Sequence, residues 1–433
     1  MTSSNQTHIK LPGAERSVAA VLWVQALNAF GDNLVKLLLI GVALGVASGT
    51  QLGDKMQVYL GIVFAVPYVI FGPLAGFLSD RFSKRHVILW TQVAQGGCYL
   101  GFALALGARS VEYSLSLCLA FFFGLATQAA LLSPARSGIM KDLVGSNGLG
   151  KVNGLLQMAM MAGILGGIGA GGWLYKRLRD SGWDAWDAAI YPVYFCVALN
   201  VIQILASLLI IRTPKHPEIR YHLRMWWQHL NDLGLVFKEK AVGTAVSAMV
   251  FFWFMSYAVG TIVVGLGKDK FHGNDGAAAG EVSIMSALIG VGVIIGGLLG
   301  GHLCRRRIEL GVVPIAGLGI AIGLFLAWLL PDHHFLPYVA LGLVGISGGV
   351  FLVPLAAYVQ DRAASGERAR ILAGAHLLDS LVGGLGSSLL VWLMIDLGIS
   401  SRMQLGIIGI ISLVATLCLA LYWSKDLRRI LLN

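Results

Sequence analysis

The sequence predicts an all-α integral membrane protein, with about twelve transmembrane helices in two pseudo-symmetric six-helix bundles. Three observations predict it. Of the 433 residues, 57% are hydrophobic and only 12% charged, a balance foreign to chains that fold in water. Apolar runs of the ~20 residues needed to cross a bilayer recur along nearly the whole length. A shift of 220 residues superposes Gly72 on Gly292, Gly76 on Gly296, Arg85 on Arg305, Pro134 on Pro354, Gly154 on Gly374, Gly163 on Gly383 and Gly166 on Gly386. Glycine is abundant here, so the weight rests on one shift aligning a loop arginine, a helix-end proline and a glycine-rich helix together.

Spans are expected at 18–44, 57–80, 86–108, 113–135, 152–176, 188–211, 241–266, 281–303, 309–330, 336–360, 369–397 and 402–424. They group into an N-terminal bundle (1–211) and a C-terminal bundle (241–433), joined by a linker at 212–240. The linker opens Thr213-Pro214-Lys215-His216-Pro217, where proline stops the sixth helix. It continues through Tyr221, Trp226 and Trp227 among bases, the composition of an amphipathic helix lying in the membrane interface.

The net charge of +10 follows topology rather than a nucleic-acid footprint. Of the 32 Lys and Arg residues, 23 fall in the N-terminus, the linker and the segments on the linker's side of the membrane. Eight fall on the opposite side and Lys36 lies within a helix. By the positive-inside rule both termini are expected in the cytoplasm. Residues 1–17 have no apolar core, so no cleavable signal is expected. Cys98, Cys118, Cys196, Cys304 and Cys418 have neither disulfide nor metal spacing and read as buried small hydrophobes.

Several polar groups stand inside apolar runs, where they are costly and mark function. The first span carries Gln25, Asn28, Asp32, Asn33 and Lys36. Gln25, Asn28 and Asp32 form one stripe by three- and four-residue steps, and Asp32 and Lys36 are spaced for an ion pair. The stripe is expected to line a central cavity. The eleventh span brings His376 and Asp379 to one face, a reasonable proton or cation site, before Gly383, Gly384 and Gly386. Glu281 and Asp396 read as solvated helix-end residues. The fifth span carries Gln157 and a run of glycines at three- and four-residue spacing from Gly163 to Gly171, a smooth face for close helix crossing. No nucleophile triad, zinc spacing or phosphate loop is present, so no catalytic residue, metal or cofactor is expected and the chain does not read as an enzyme.

Between the second and third spans runs Gly76-Phe-Leu-Ser-Asp80-Arg81-Phe-Ser-Lys84-Arg85. Asp80 can accept from Arg81, Lys84 or Arg85, and Gly76 suits a close backbone approach. This loop resembles the signature loop of the major facilitator superfamily, with Ser83 where that pattern usually has glycine. The matching stretch Gly301 to Arg307 keeps the bases but no acid. The resemblance implies a facilitator fold and a role for the loop as a charge latch, broken as the halves rock during alternating access.

Three further stretches resemble the bacterial lysophospholipid transporter family within that superfamily: Ala29-Phe30-Gly31-Asp32-Asn33; Ser133-Pro134-Ala135-Arg136-Ser137-Gly138-Ile139 with Asn153-Gly154; and Phe351-Leu352-Val353-Pro354-Leu355 leading to Asp379. Members move lysophospholipids, such as lysophosphatidylethanolamine, across the bacterial inner membrane towards the cytoplasm for reacylation. The resemblance implies the same amphiphilic substrate among membrane lipids, a cytoplasmic acyltransferase as partner, and cavity roles for Asp32 and Asp379. The family usually has glutamate where Asp379 stands. Its seventh helix carries a base suited to a lipid phosphate. Here Ala248 to Thr261 has none, and Lys36 is expected to replace it. The alternative reading is a proton-coupled exporter of small hydrophobic or amphiphilic compounds, with Asp32 and Asp379 titrating. A non-transporting scaffold or sensor is a third class. One chain holds both halves of a pathway, so a monomer is expected.

Overall fold

A computed structural model describes residues 13–222, 233–304, 308–330, 335–362 and 368–424. Twelve helices among these are long and apolar enough to cross a membrane: α1 (Ala14–Val46), α2 (Met56–Arg81), α3 (Lys84–Gly107), α4 (Val111–Gly145), α5 (Gly154–Asp180), α6 (Ala185–Leu208), α7 (Lys240–Lys270), α8 (Asp275–Leu303), α9 (Val312–Leu329), α10 (Leu336–Arg362), α11 (Ile371–Asp396) and α12 (Ser401–Tyr422). The linker leaves from one end of the assembly, the linker end; we call the other the distal end. The expected amphipathic segment around Trp226 and Trp227, the bases at 305–307 and the side chain of Arg370 fall outside the described residues.

Polar residues cap helix starts at the distal turns, Asp184 and Asn274 those of α6 and α8 and Thr50 a short turn of helix (Gln51–Asp54) ahead of α2. The Thr50, Asp184 and Asn274 side chains accept from the backbone N–H of Gly53, Asp187 and Ala277 at 3.1, 2.8 and 2.9 Å, satisfying donors that a helix start leaves open.

One boundary departs from the sequence reading by ten residues. The fourth span was expected to end at 135, yet α4 runs through Pro134 to Gly145, where φ is +66°. A proline inside a membrane helix is tolerated when neighbouring groups take up the freed carbonyl; the left-handed glycine is the actual stop. Arg136 is therefore helical, within a span, rather than a loop charge. Glu281 is a second correction. It lies inside α8, buried, accepting from Lys270 Nζ at 2.6 Å and from the Tyr338 hydroxyl. Asp396 does end its helix, half exposed, paired with Lys55.

The glycine run of α5 lies on α1 backbone against backbone. A Cβ on Gly163, Gly167 or Gly171 would stand 2.2, 2.2 or 3.2 Å from the carbonyl oxygens of Ala26, Phe30 and Leu34. In the second half the close pair is α8 and α10: a Cβ on Gly296 would meet the Ile346 oxygen at 1.9 Å, and one on Gly345 the Ile289 oxygen at 2.1 Å. Gly76, expected at a close approach, faces open space. Within α11 the stretch Asp379–Gly386 is wound as a π-helix, a device frequent at functional sites.

The two halves are stapled at the distal end. Arg179 of α5 clasps Asp275 of α8 at 2.8 and 3.0 Å, and Tyr175 donates to the same carboxylate at 2.6 Å. Lys268 meets Asp54 at 2.5 Å, Lys55 meets Asp396, and Ser283 donates to the Ile168 carbonyl at 3.0 Å. The main apolar core runs through both halves, while a smaller one around Val21, Ile88, Ala135 and Ile139 lies at the linker end of the first half.

Candidate functional site

Below the distal staples a cavity of about 1030 Å³, its mouth included, opens between the halves. Asn33 and Lys36 of α1 and Gln57 of α2 form its polar side. Its remaining wall is largely apolar and comes mostly from the second half, with Phe252, Met255 and Val259 of α7, Ile289 and Val293 of α8, Val344 and Gly348 of α10, and with Leu37, Ile40 and Ile168 from the first. Ser256, Thr261 and Ser286 add hydroxyls. The Lys36 ammonium has no hydrogen-bond or ion-pair partner among the described residues. A cation therefore faces a chamber otherwise suited to hydrocarbon.

One helical turn away, the Asp32 carboxylate turns into the first half instead. Its Oδ1 accepts from Gln95 Nε2 at 3.0 Å and from the Tyr99 hydroxyl at 3.1 Å, and Gln95 accepts in turn from Asn200 at 3.2 Å. The spacing allowed an Asp32–Lys36 ion pair; two donors from α3, one of them braced by Asn200 of α6, hold the acid away from it. Nearer the linker end, Gln25 is buried and accepts from Arg136 Nη1. Asn28 is also buried, its amide nitrogen without a partner. Tyr68 of α2 lies within Coulombic reach of Arg136, of Asp32 and of Tyr257 on α7, and Tyr257 within that of Asp379 on α11.

A family model described as Major Facilitator Superfamily matches residues 21–387 of this chain. The chain belongs to the major facilitator superfamily. This makes it a multi-pass membrane transporter, not an enzyme. It is 27% identical over 363 residues to the lysophospholipid transporter LplT of Serratia proteamaculans, covering 81% of each chain. To LplT of Pectobacterium carotovorum it is 26% identical over 405 residues, covering 92% of this chain and 91% of the relative. Among solved structures, a POT family transporter in complex with 5-aminolevulinic acid superposes with a TM-score of 0.73 at 13% identity, covering 95% and 96% of the two chains. The inward open xylose transporter XylE of E. coli superposes with a TM-score of 0.70 at 14% identity, covering 93% and 94%. These structures share the facilitator fold.

Of the polar residues singled out in the sequence of this facilitator, Asn33 and Lys36 line the cavity, whereas Gln25, Asn28 and Asp32 do not. The stripe they form meets polar groups of α3 and α4 rather than open space. Gln157 is exposed on α5. Asp379 is 12% exposed, its Oδ1 without a partner, and the largely exposed His376 ring stands 3.6 Å from its other oxygen.

The signature loop also differs from its expected pairing. Asp80 is exposed and has no partner among the described residues. Lys84 pairs instead with Asp142 of α4 at 2.8 Å; Arg81 donates to the Ile219 carbonyl at 3.2 Å and Arg85 to that of Leu208 at 2.9 Å. Thr213 accepts from the backbone of Lys84 at 2.8 Å, and His216 N–H donates to the Arg81 carbonyl at 3.0 Å. The linker is thus strapped onto the loop, and the bases that Asp80 was expected to hold are shared out: Arg81 to the linker, Lys84 to α4 and Arg85 to the end of α6. Sequence reasoning missed Gln95, Tyr99 and Asn200. The signal was available, since Gln92, Gln95 and Tyr99 recur at three- and four-residue steps inside an apolar span.

Proposed function

We propose that this chain is a secondary transporter of lysophospholipids and similar single-chain amphiphiles, moved across the bacterial inner membrane by alternating access. The carrying observation is Lys36, an unpaired cation at the polar side of an apolar cavity. A phosphate headgroup satisfies the ammonium, and an acyl chain fills the wall of α7, α8 and α10. The relatives named lysophospholipid transporters support the same substrate class. The bases gathered at the linker end put both termini in the cytoplasm by the positive-inside rule. The distal staples then close the outer side, and the cargo leaves towards the cytoplasm, where an acyltransferase would receive it. One chain encloses the cavity, so a monomer suffices.

The test is uptake of labelled lysophosphatidylethanolamine into proteoliposomes, with and without proton or sodium gradients. Flux above empty vesicles, reduced about tenfold by Lys36→Leu, supports the reading, since loss of a charged hydrogen bond is of that size. Unchanged flux and headgroup preference in Lys36→Leu would remove Lys36 from it.

A second reading, a proton-coupled exporter, draws on Asp379, whose buried Oδ1 lacks a partner, and on Asp32, sequestered from the cavity. Absent lipid flux with proton-driven efflux of small hydrophobic compounds would favour it.

A further inference from the structure

Arg136 is the strongest unexplained group in the molecule. It lies within α4, and of its nitrogens only Nη1 is bonded, to the neutral Gln25 amide oxygen. Nε is fully buried without a partner. No carboxylate meets it among the described residues. A guanidinium does not shed its proton, so its charge in a span has to be offset by something other than titration. Arg179 provides the internal comparison. It uses its Nε and Nη2 edge to clasp both oxygens of Asp275, and that same edge of Arg136 stands free. The edge is shaped for a two-oxygen anion, a carboxylate or a phosphate.

The position gives the free edge a meaning. Gln25 lies eleven residues linker-ward of Lys36 on α1, about 16 Å at the α-helical rise. Lys36 and Arg136 are thus two cations at different depths of the first half, Lys36 on the cavity lining and Arg136 beside Gln25 beyond it. Between them the Asp32 carboxyl is held aside by Gln95 and Tyr99 and pairs with neither.

We propose that Arg136, with Gln25, is a second binding station for the anionic headgroup of the amphiphile, occupied after Lys36 and before release at the linker end. The proposal rests on the amphiphile reading above. Gln25 holds the guanidinium in place until a phosphate takes the free edge. A half-buried residue can present that edge after a turn of its terminal torsions.

Two experiments on the full-length chain test it. In proteoliposomes, Arg136→Gln should cut lysophosphatidylethanolamine flux about tenfold, the worth of a charged hydrogen bond. Binding by the purified protein should stay within about twofold of the parent, because Lys36 still captures the headgroup. Arg136→Lys should restore part of the flux. Unchanged flux, or binding and flux falling together with the melting temperature, would overturn the station in favour of a structural role. The second experiment does not depend on lysophospholipids being the cargo. In a Lys36→Leu background, dodecyl phosphate should still bind, and adding Arg136→Gln should abolish that binding. Equal binding by both would overturn the station even if lipid flux is found. Arginine-dependent binding without any lysophospholipid flux would keep the station and sink the lipid reading alone.

Discussion

Arg179 of α5 clasps Asp275 of α8 with two nitrogens, Nε at 2.8 Å and Nη2 at 3.0 Å, across the interface between the halves. Asp275 is 8% exposed and takes a third bond from Tyr175 at 2.6 Å. Removing one partner of a buried, doubly bonded pair is expensive because the other charge is stranded. Asp275→Asn is therefore expected to open the distal end. With Ser283→Cys in a background lacking the native cysteines, labelling by a membrane-impermeant maleimide should rise about tenfold or more. An unchanged labelling rate would mean that other contacts hold this end closed.

The glycines of α5 make a contrasting pair of stability predictions. Gly167→Ala would drive a methyl to 2.2 Å from the Phe30 carbonyl, and overpacking of this kind costs about 1–3 kcal/mol. Gly76→Ala points into open space and removes a helix-weakening glycine, worth up to ~1 kcal/mol in the other direction. Thermal melting in detergent should fall for the first and hold or rise for the second. Equal shifts would contradict the close approach of α1 and α5.

Asp32→Ala leaves Gln95 and Tyr99 without their shared acceptor, at a cost of about 1–3 kcal/mol for stranded buried donors. Asp32→Asn keeps an acceptor oxygen there. The melting temperature should drop markedly for the alanine variant and little for asparagine. Transport lost in both, with only one destabilised, assigns Asp32 a role in the cycle beyond folding.

Lys84 meets Asp142 and not Asp80. A double-mutant cycle of Lys84→Ala with Asp142→Ala should give a coupling of about 0.2–1 kcal/mol, the range of half-exposed pairs. The cycle with Asp80→Ala should give none. Coupling only to Asp80 would restore the intraloop pairing read from the sequence.

The twelve spans, the two halves and the smooth glycine face of α5 were legible because each is a local property of composition or spacing. The cavity was legible only in part. Lys36 and Asn33 lie on it, but nothing local says that the Asp32 carboxylate turns to Tyr99 and Gln95, since those partners arrive from another helix. Arg136 was misread for a related reason: proline followed by arginine looks like a helix end unless the membrane context lets α4 continue. The bases of the 76–85 loop were assigned to their nearest acid in sequence, whereas in space the linker, α4 and the end of α6 each take one.

The contact of α5 with α1 has a mechanical result. Backbone lies on backbone at Gly163, Gly167 and Gly171, against Ala26, Phe30 and Leu34, with the Phe30 ring and the β-carbons of Ala29 and Leu37 packed on the same glycine face. Sliding one past the other would mean lifting it clear, so the pair behaves as a single strut. Lys36 rides at one point of that strut and Arg179 at another. The cation facing the cavity and the arginine that staples the distal end are thus fixed to the same lever, and neither can shift without tugging the other.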